Sequence, residues 1–393
     1  MLSKAAPQTN TRCFHPASLK RRFAPNQDLT QAVILVFVAP VLSFATKTSR
    51  RLETRAATAG MAAVLLLIAA IVLGSDGLRH YDLALLPYTC GVVLAAFAVT
   101  YRYAVWLQRP PTRLYWKRGW QLLFRGRERS RTVVFLLRSV YDNLFAQKFI
   151  RRRSSTRWIA HFCLAWGSLI AVAVTFPLVF GWLHFETRPL DPSWYRVVVL
   201  GSVVGEFHTR SLARYVMFNL LNLSAVMVIV GATLALRRRL RDPGSRARQQ
   251  FGDDIVPLLL LIAISATGLM LTLSTYLLHG YAYAALSLIH AFVVTGTLLY
   301  LPFGKLFHVL QRPAQVGVAL YRRANEASPL AACRVCHEGF AGAMHISDLK
   351  NVLGDVDLEW TLPGPAAHYA EVCPRCRRRL FGFTQGRLSG RTA

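Results

Sequence analysis

The chain is poor in acid. Only 19 of its 393 residues are Asp or Glu, against 47 Lys or Arg, which leaves a formal charge of +28. An excess of that size can signal nucleic acid, but no recognisable reading motif occurs, which argues against such a partner. Cysteine is also sparse ahead of residue 333: Cys13, Cys90 and Cys163 are scattered, so no disulfide framework is indicated. Residues 1–28 are polar and basic with no apolar core directly behind them, so they do not read as a cleaved secretory signal and are too polar to bury. No internal repeat or low-complexity tract is visible.

What is abundant is apolar. Hydrophobic residues make up 53% of the chain and gather in runs near twenty long, the mark of an integral membrane protein. Six spans are expected: Ala56–Gly74, Leu83–Tyr101, Trp158–Trp182, Tyr215–Leu236, Ile255–Leu278 and Ala284–Leu310. A shorter run with Pro40, Leu29–Ala45, reads equally as a seventh span or as an interfacial helix. The fold class is therefore all-α, a polytopic membrane helical bundle of six or seven spans with a small C-terminal metal-binding tail.

Loop charge gives the direction. Residues 102–157 carry fifteen Lys or Arg against two acids, and 237–253 carry six basic residues; short basic connections stay on the cytoplasmic side. The connection His184–Ala213 balances three Arg with three acids and belongs outside. A multi-pass protein of the cell membrane with its C-terminus in the cytoplasm follows. The chain divides into a mobile basic N-terminus (1–28), N-terminal membrane helices (29–107), a basic cytoplasmic linker (108–157), a four-helix core (158–310) and a cytoplasmic tail (311–393). Within the linker, Val134, Leu137, Val140, Tyr141 and Leu144 recur at helical spacing between Thr132 and Phe149, as in an amphipathic helix at the membrane surface.

Histidines supply the chemistry. His290 and His308 lie eighteen positions apart in one apolar stretch; on a continuous helix that is five turns, with both rings on one face about 27 Å apart. Ionisable residues inside a membrane point to function, and neutral imidazole is the usual axial ligand where a bundle holds haem. His161, less than one turn into its span, and His308 are at matching depth on the cytoplasmic side. Arg157 and Lys305 each lie one turn before a ligand candidate and suit haem propionates. His290 needs a partner near the outer surface, where periodicity does not choose among His184, His208 and His279. The external stretch 194–208 also offers Tyr195, Glu206 and His208 as proton-exchanging groups for a quinone.

The tail carries Cys333-Arg-Val-Cys336 and Cys373-Pro-Arg-Cys376. Four thiolates at that spacing close a tetrahedral site for zinc, or for iron or an iron-sulfur cluster, and a metal clip suits a tail too small to fold readily alone. Cys333–His337 also spells the CxxCH of c-type haem attachment, a reading that leaves the second pair unexplained. His345 and His368 are further possible ligands, and Arg377–Arg379 favour an acidic face on a soluble partner.

Three segments, AQKFIRRRSSTRWIAHFCLAWG (146–167), Asp253–Gly268 with its late Ala-Thr-Gly, and LPFGKLFHVLQRP (301–313), resemble the nitrate reductase gamma subunit and heterodisulfide reductase cytochrome b family. The resemblance covers roughly residues 130–315. It implies a b-type cytochrome that passes electrons between membrane quinone and a cytoplasmic iron-sulfur or molybdenum oxidoreductase subunit. By position, His161 and His308 look like the axial pair of the haem nearest the cytoplasm, and His290 like one ligand of an outer haem. Gamma subunits carry a second His about ten residues after the first; here that position is Ala171, so one haem or two remain open.

The expected function is thus a membrane-anchored b-type cytochrome subunit using haem b, quinone and a tail metal. Two alternatives come from other classes. One is a transporter with an intramembrane His proton relay, although the repeated halves and broken helices of transporters are not evident. The other is a non-catalytic membrane scaffold with a zinc-ribbon docking tail.

Overall fold

The computed structural model describes residues 47–125, 129–358, 361 and 368–388. The N-terminal residues 1–28 and the run Leu29–Ala45 lie outside the described residues. Among the described residues six helices are long and apolar enough to cross a membrane, over Leu52–Gly74, Leu83–Gln108, Ser155–Val179, Leu212–Arg241, Phe251–Leu277 and Tyr283–Tyr300.

In chain order the helices are α1 (Lys47–Gly74) and α2 (Leu86–Gln108), then α3 (Pro110–Arg125) and α4 (Arg129–Val140). The remaining spans follow as α5 (Ser155–Val179), α6 (Leu212–Arg241), α7 (Val256–Leu277) and α8 (Tyr283–Tyr300). The tail contributes α9 (Gln315–Glu326), α10 (Ala343–Asp355) and α11 (Pro374–Leu388). Starts follow local chemistry. Ser154 accepts from the Arg157 N–H and Ser211 from the Arg214 N–H, which satisfies backbone donors that a helix start leaves open.

Lipid gives two apolar helices no hydrophobic reason to associate, so small residues that let backbones approach set the packing. Between α5 and α6 that role falls to glycine. A Cβ on Gly231 would stand 2.6 Å from the Ala160 carbonyl oxygen and 2.8 Å from the Leu164 nitrogen, and one on Gly167 2.8 Å from Val228. Gly91 on α2 meets Thr295 of α8 in the same way.

Two features depart from the sequence expectation. The connection expected as an external loop, His184–Ala213, is largely an antiparallel sheet of β1 (Leu183–Arg188), β2 (Asp191–Val199) and β3 (Ser202–His208). Its β2–β3 hairpin turns on Leu200 and Gly201, both at positive φ, the mirror-image turn that suits strand twist. Phe185, Tyr195 and Phe207 pack with Phe218 of α6, so the sheet is anchored on a span. Glu206 is held by Arg196 directly across the ladder at 3.0 Å and by Arg188 at 3.8 Å. Tyr195 and Glu206 are therefore parts of the sheet's packing and pairing.

The second departure is the end of the last span. α8 stops at Tyr300 rather than running to Leu310. Pro302 has no N–H to continue the ladder and would press on the preceding turn. Tyr300 folds over Gly304, where no side chain fits, and its hydroxyl donates to the Gly252 carbonyl at 2.7 Å. A helical turn at 305–307 then leads into a short helix, His308–Gln311. His290 and His308 therefore do not share one continuous helix face.

The basic linker and the tail are packed together. α3 lies against α9 and α10: the Arg118 guanidinium grips both oxygens of buried Asp348, the shortest contact being 2.6 Å. Tyr115 meets Tyr321 edge-on, and Arg323 covers the Phe135 ring of α4. The Tyr321 hydroxyl donates to Asp348 at 3.1 Å; burial and that carboxylate push the phenol upward, which keeps it a donor. Arg118→Ala leaves this carboxylate with Tyr321 and no cation. We expect the tail to lose about 2–3 kcal/mol of docking, read as faster limited proteolysis just after Glu326, with Arg118→Lys intermediate.

Candidate functional site

The four tail cysteines converge. β4 (Leu330–Ala332) and β5 (Gly339–Gly342) form a hairpin whose turn is closed by Cys333 N–H to the Glu338 carbonyl and His337 N–H to the Cys333 carbonyl, each 2.9 Å. His337 takes positive φ there. The second pair sits at the start of α11, with Pro374 its first residue. All four Sγ atoms lie within 4.8 Å of one another. Zn–S bonds of about 2.3 Å put tetrahedral sulfurs about 3.8 Å apart, and Cys336 and Cys373 are 3.8 Å apart.

Backbone N–H groups favour negative charge on one of these sulfurs, that of Cys333. Cys333 Sγ accepts from the N–H groups of Val335 at 3.4 Å and Cys373 at 3.2 Å, and Cys373 Sγ from that of Cys376 at 3.5 Å. Burial raises the Cys333 thiol, yet N–H donors from Cys373, Cys336 and Val335 outweigh it and hold it down to about 6. Cys376 goes the other way, pushed up to about 12 by burial and by its neighbouring sulfurs. A bound cation would draw all four sulfurs to the thiolate form, and the cluster could hold a metal ion such as zinc. Both cysteines of the CxxCH sequence are committed to this cluster. The tail histidines are used elsewhere: His368 Nδ1 accepts from the Ala370 N–H, and His345 Nδ1 faces the Tyr321 hydroxyl.

At the basic end of the bundle, His161 of α5 is within electrostatic range of His308 and Arg312 although α8 is broken. His161 Nδ1 lies 2.9 Å from the Gln147 side-chain oxygen. Gln147 is buried and sits at positive φ just before a short helix. His308 Nδ1 lies 2.5 Å from the Lys305 carbonyl oxygen. Toward the other end, His290 Nδ1 meets the Thr267 hydroxyl at 2.8 Å, and that hydroxyl donates to the Ala263 carbonyl at 2.7 Å. Gly268 leaves room for the ring, a Cβ there standing 3.4 Å from His290 Cε1.

These contacts fix the tautomers. A carbonyl oxygen can only accept. In His161 and His308 the proton is therefore on Nδ1 and Nε2 is the accepting nitrogen, whereas the His290 ring has the Ile264 backbone as a partner beside the Thr267 hydroxyl. A metal-binding imidazole is held in this way, its other nitrogen donating to an oxygen behind it.

The remaining candidates are differently engaged. His184 has both nitrogens near oxygens, Gly181 O at 3.3 Å and Glu186 at 3.2 Å, and stacks on His80. His208 Nδ1 accepts from the Arg210 N–H, and His279 sits at positive φ in the turn after α7. Arg157 is exposed in the first turn of α5. Lys305 is half-exposed and reaches Asp254 at 2.9 Å, sharing it with Arg239, also at 2.9 Å.

Sequence reasoning missed Gln147, Thr267, Asp254 and Arg312. Arg312 alone left a local signal, one turn beyond His308.

Comparison of the chain with family models, with curated proteins and with solved structures gave no match.

For the cysteine site we expect one equivalent of metal per chain by elemental analysis. Cys373→Ser, which removes a ligand and a backbone-supported sulfur, should weaken metal binding by at least about 100-fold and make the tail protease-sensitive. Full metal content in that variant would show that the cluster is not the binding site.

Proposed function

We propose that this chain is a membrane-anchored b-type cytochrome subunit that carries electrons between the quinone pool and a cytoplasmic oxidoreductase subunit. The observation that carries the reading is the set of ring-nitrogen partners. Of the intramembrane and membrane-edge histidines, His161 and His308 each direct Nδ1–H to an oxygen and leave Nε2 to accept, and they are within electrostatic range of each other on different segments. Those two would hold haem b. When bound, the haem iron supplies the one-electron chemistry.

What the protein does is bind, orient and insulate. Gln147 and the Lys305 carbonyl keep each ring in its ligating tautomer, and donation from Nδ1–H makes Nε2 a better base. Arg312, Arg157 and Lys305 are the cations available to propionates at that end. His290 would be one ligand of a second, outer haem, for which a partner other than His184 or His208 would be needed.

Charge supports the orientation of this reading. The basic segments 102–157 and 237–249 are at the end where α2 and α6 finish and α5 and α7 begin, and under the positive-inside rule that end, with the cysteine tail, would face the cytoplasm of a cell membrane. There the tail, with zinc on Cys333, Cys336, Cys373 and Cys376, would meet an iron-sulfur or molybdenum subunit.

The test is a dithionite-reduced minus oxidised spectrum of the purified chain with haem extraction. Sharp low-spin b bands are expected, lost in both His161→Ala and His308→Ala. Gln147→Leu should retain the fold and weaken haem retention by about 10–100-fold. Haem content unchanged in either alanine variant sinks the ligand assignment, and a colourless parent protein leaves the scaffold or transporter readings.

A further inference from the structure

The linker between α2 and α5 has two faces, and only one is accounted for by the tail. On α3, Tyr115, Arg118 and Gly119 turn toward α9 and α10, with Gly119 close enough that a Cβ would meet the Gly317 backbone at 3.6 Å. At 100° per residue, Arg113, Trp116, Lys117 and Trp120 come out near the opposite side of the same helix, and all four are exposed. Trp116 packs edge-on against Trp120, and Trp120 stacks flat on Phe124 with ring centroids 5.4 Å apart.

The pattern repeats on α4. Phe135 turns inward under Arg323 of α9, while Val134, Leu137 and Tyr141, spaced three and four apart, are each about 60% exposed with Arg138 among them. Two helices thus grip α9 with their inner faces and present an apolar ridge with basic flanks outward.

Water does not suit two exposed tryptophans beside an exposed leucine and valine, and large apolar patches on a protein surface mark something that covers them. Continuity identifies the occupant. α3 begins two residues after the membrane-spanning α2 ends, and the span α5 begins only a few residues beyond the short helix that follows α4. The ridge is tethered to lipid at both ends. Its composition is that of the membrane–water boundary, where indole rings settle and the stems of Lys and Arg lie along the apolar surface with charge reaching the headgroups. Over residues 102–157 there are fifteen basic residues and two acids, and one of those acids, Asp142, is already paired with Lys148.

We infer that α3 and α4 lie in the plane of the membrane surface as a platform, with Trp116, Trp120, Val134, Leu137 and Tyr141 in the boundary layer and acidic phospholipid headgroups held by Arg113, Lys117 and Arg138. The platform holds the tail against the bilayer through its other face. This assignment is independent of any haem in the bundle.

The test uses the full chain in nanodiscs of mixed phosphatidylcholine and phosphatidylglycerol, with an environment-sensitive fluorescent amino acid encoded at position 120 and, separately, at position 137. Emission at both sites should be blue-shifted, be strongly quenched by lipids brominated on upper acyl carbons, and respond little to iodide in the water. In the same discs the lipid that remains bound on detergent exchange should be enriched several-fold in phosphatidylglycerol, and Arg113→Gln/Lys117→Gln/Arg138→Gln should abolish that enrichment. Iodide quenching without bromine quenching at both positions would overturn the platform and assign the ridge to a soluble partner. Equal retention of the two lipids by the parent chain would overturn the acidic-headgroup part.

Discussion

One carboxylate joins the basic end of the bundle. Asp254, 7% exposed at the start of the fifth span, accepts from Arg239 of α6, from Lys305 beyond α8 and from the Gln250 N–H. Removing a carboxylate from water is costly unless charge and hydrogen bonds replace what water gave, and two cations and an N–H do so here. Each cation comes from a different chain segment, so the three segments are fixed with respect to one another. Lys305 carries the constraint further. Its side chain reaches Asp254 while its carbonyl receives His308 Nδ1–H, so the orientation of that imidazole depends on where Asp254 stands.

The break in the last span takes its meaning from this arrangement. A continuous helix through Leu310 would leave His308 on the α8 axis and direct the Lys305 carbonyl into an intrahelical bond with Val309. Pro302 and Gly304 end the helix first. The Lys305 carbonyl, which also accepts the His308 backbone N–H in the tight turn, is the acceptor that sets the His308 tautomer, and His308 ends within electrostatic range of His161 without a continuous helix. Arg102 donates to the Pro302 carbonyl and stacks on Phe307, so a cation at the end of α2 satisfies backbone that the interrupted helix exposes.

The parts legible in the sequence are those fixed by composition over a long window or by chemistry at close spacing. Span length is set by bilayer thickness, so each expected span overlaps a helix long and apolar enough to cross a membrane and four of the six ended within about five residues of expectation, and two CxxC pairs admit few arrangements besides a four-sulfur cluster. The sheet was harder to read. Balanced charge over 184–213 suggested a loop, while the β-branched and aromatic residues of 194–207 that form strands were overlooked, and the Leu200-Gly201 hairpin lacks the Asn-Gly or Asp-Gly signal. At the end of α8 the apolar run outweighed Pro302. Gln147 lies beyond any periodic argument: it reaches His161 because its own backbone adopts a left-handed turn, a conformation that no neighbouring residue announces.

Partner atoms separate the histidines where burial and depth do not. His184 and His161 are both partly buried near a span end, and hydropathy ranks them alike. Yet His184 has an oxygen at each nitrogen and a ring stacked on it, so it welds the turn after α1 to the sheet. His161 has an oxygen at one nitrogen only. His208 differs again, since accepting an N–H at Nδ1 obliges its proton to sit on Nε2 and removes the lone pair a metal would use. Among chemically identical side chains, the hydrogen bond on the far nitrogen decides which nitrogen is left to accept, and for His161 and His308 that bond is made by Gln147 and Lys305.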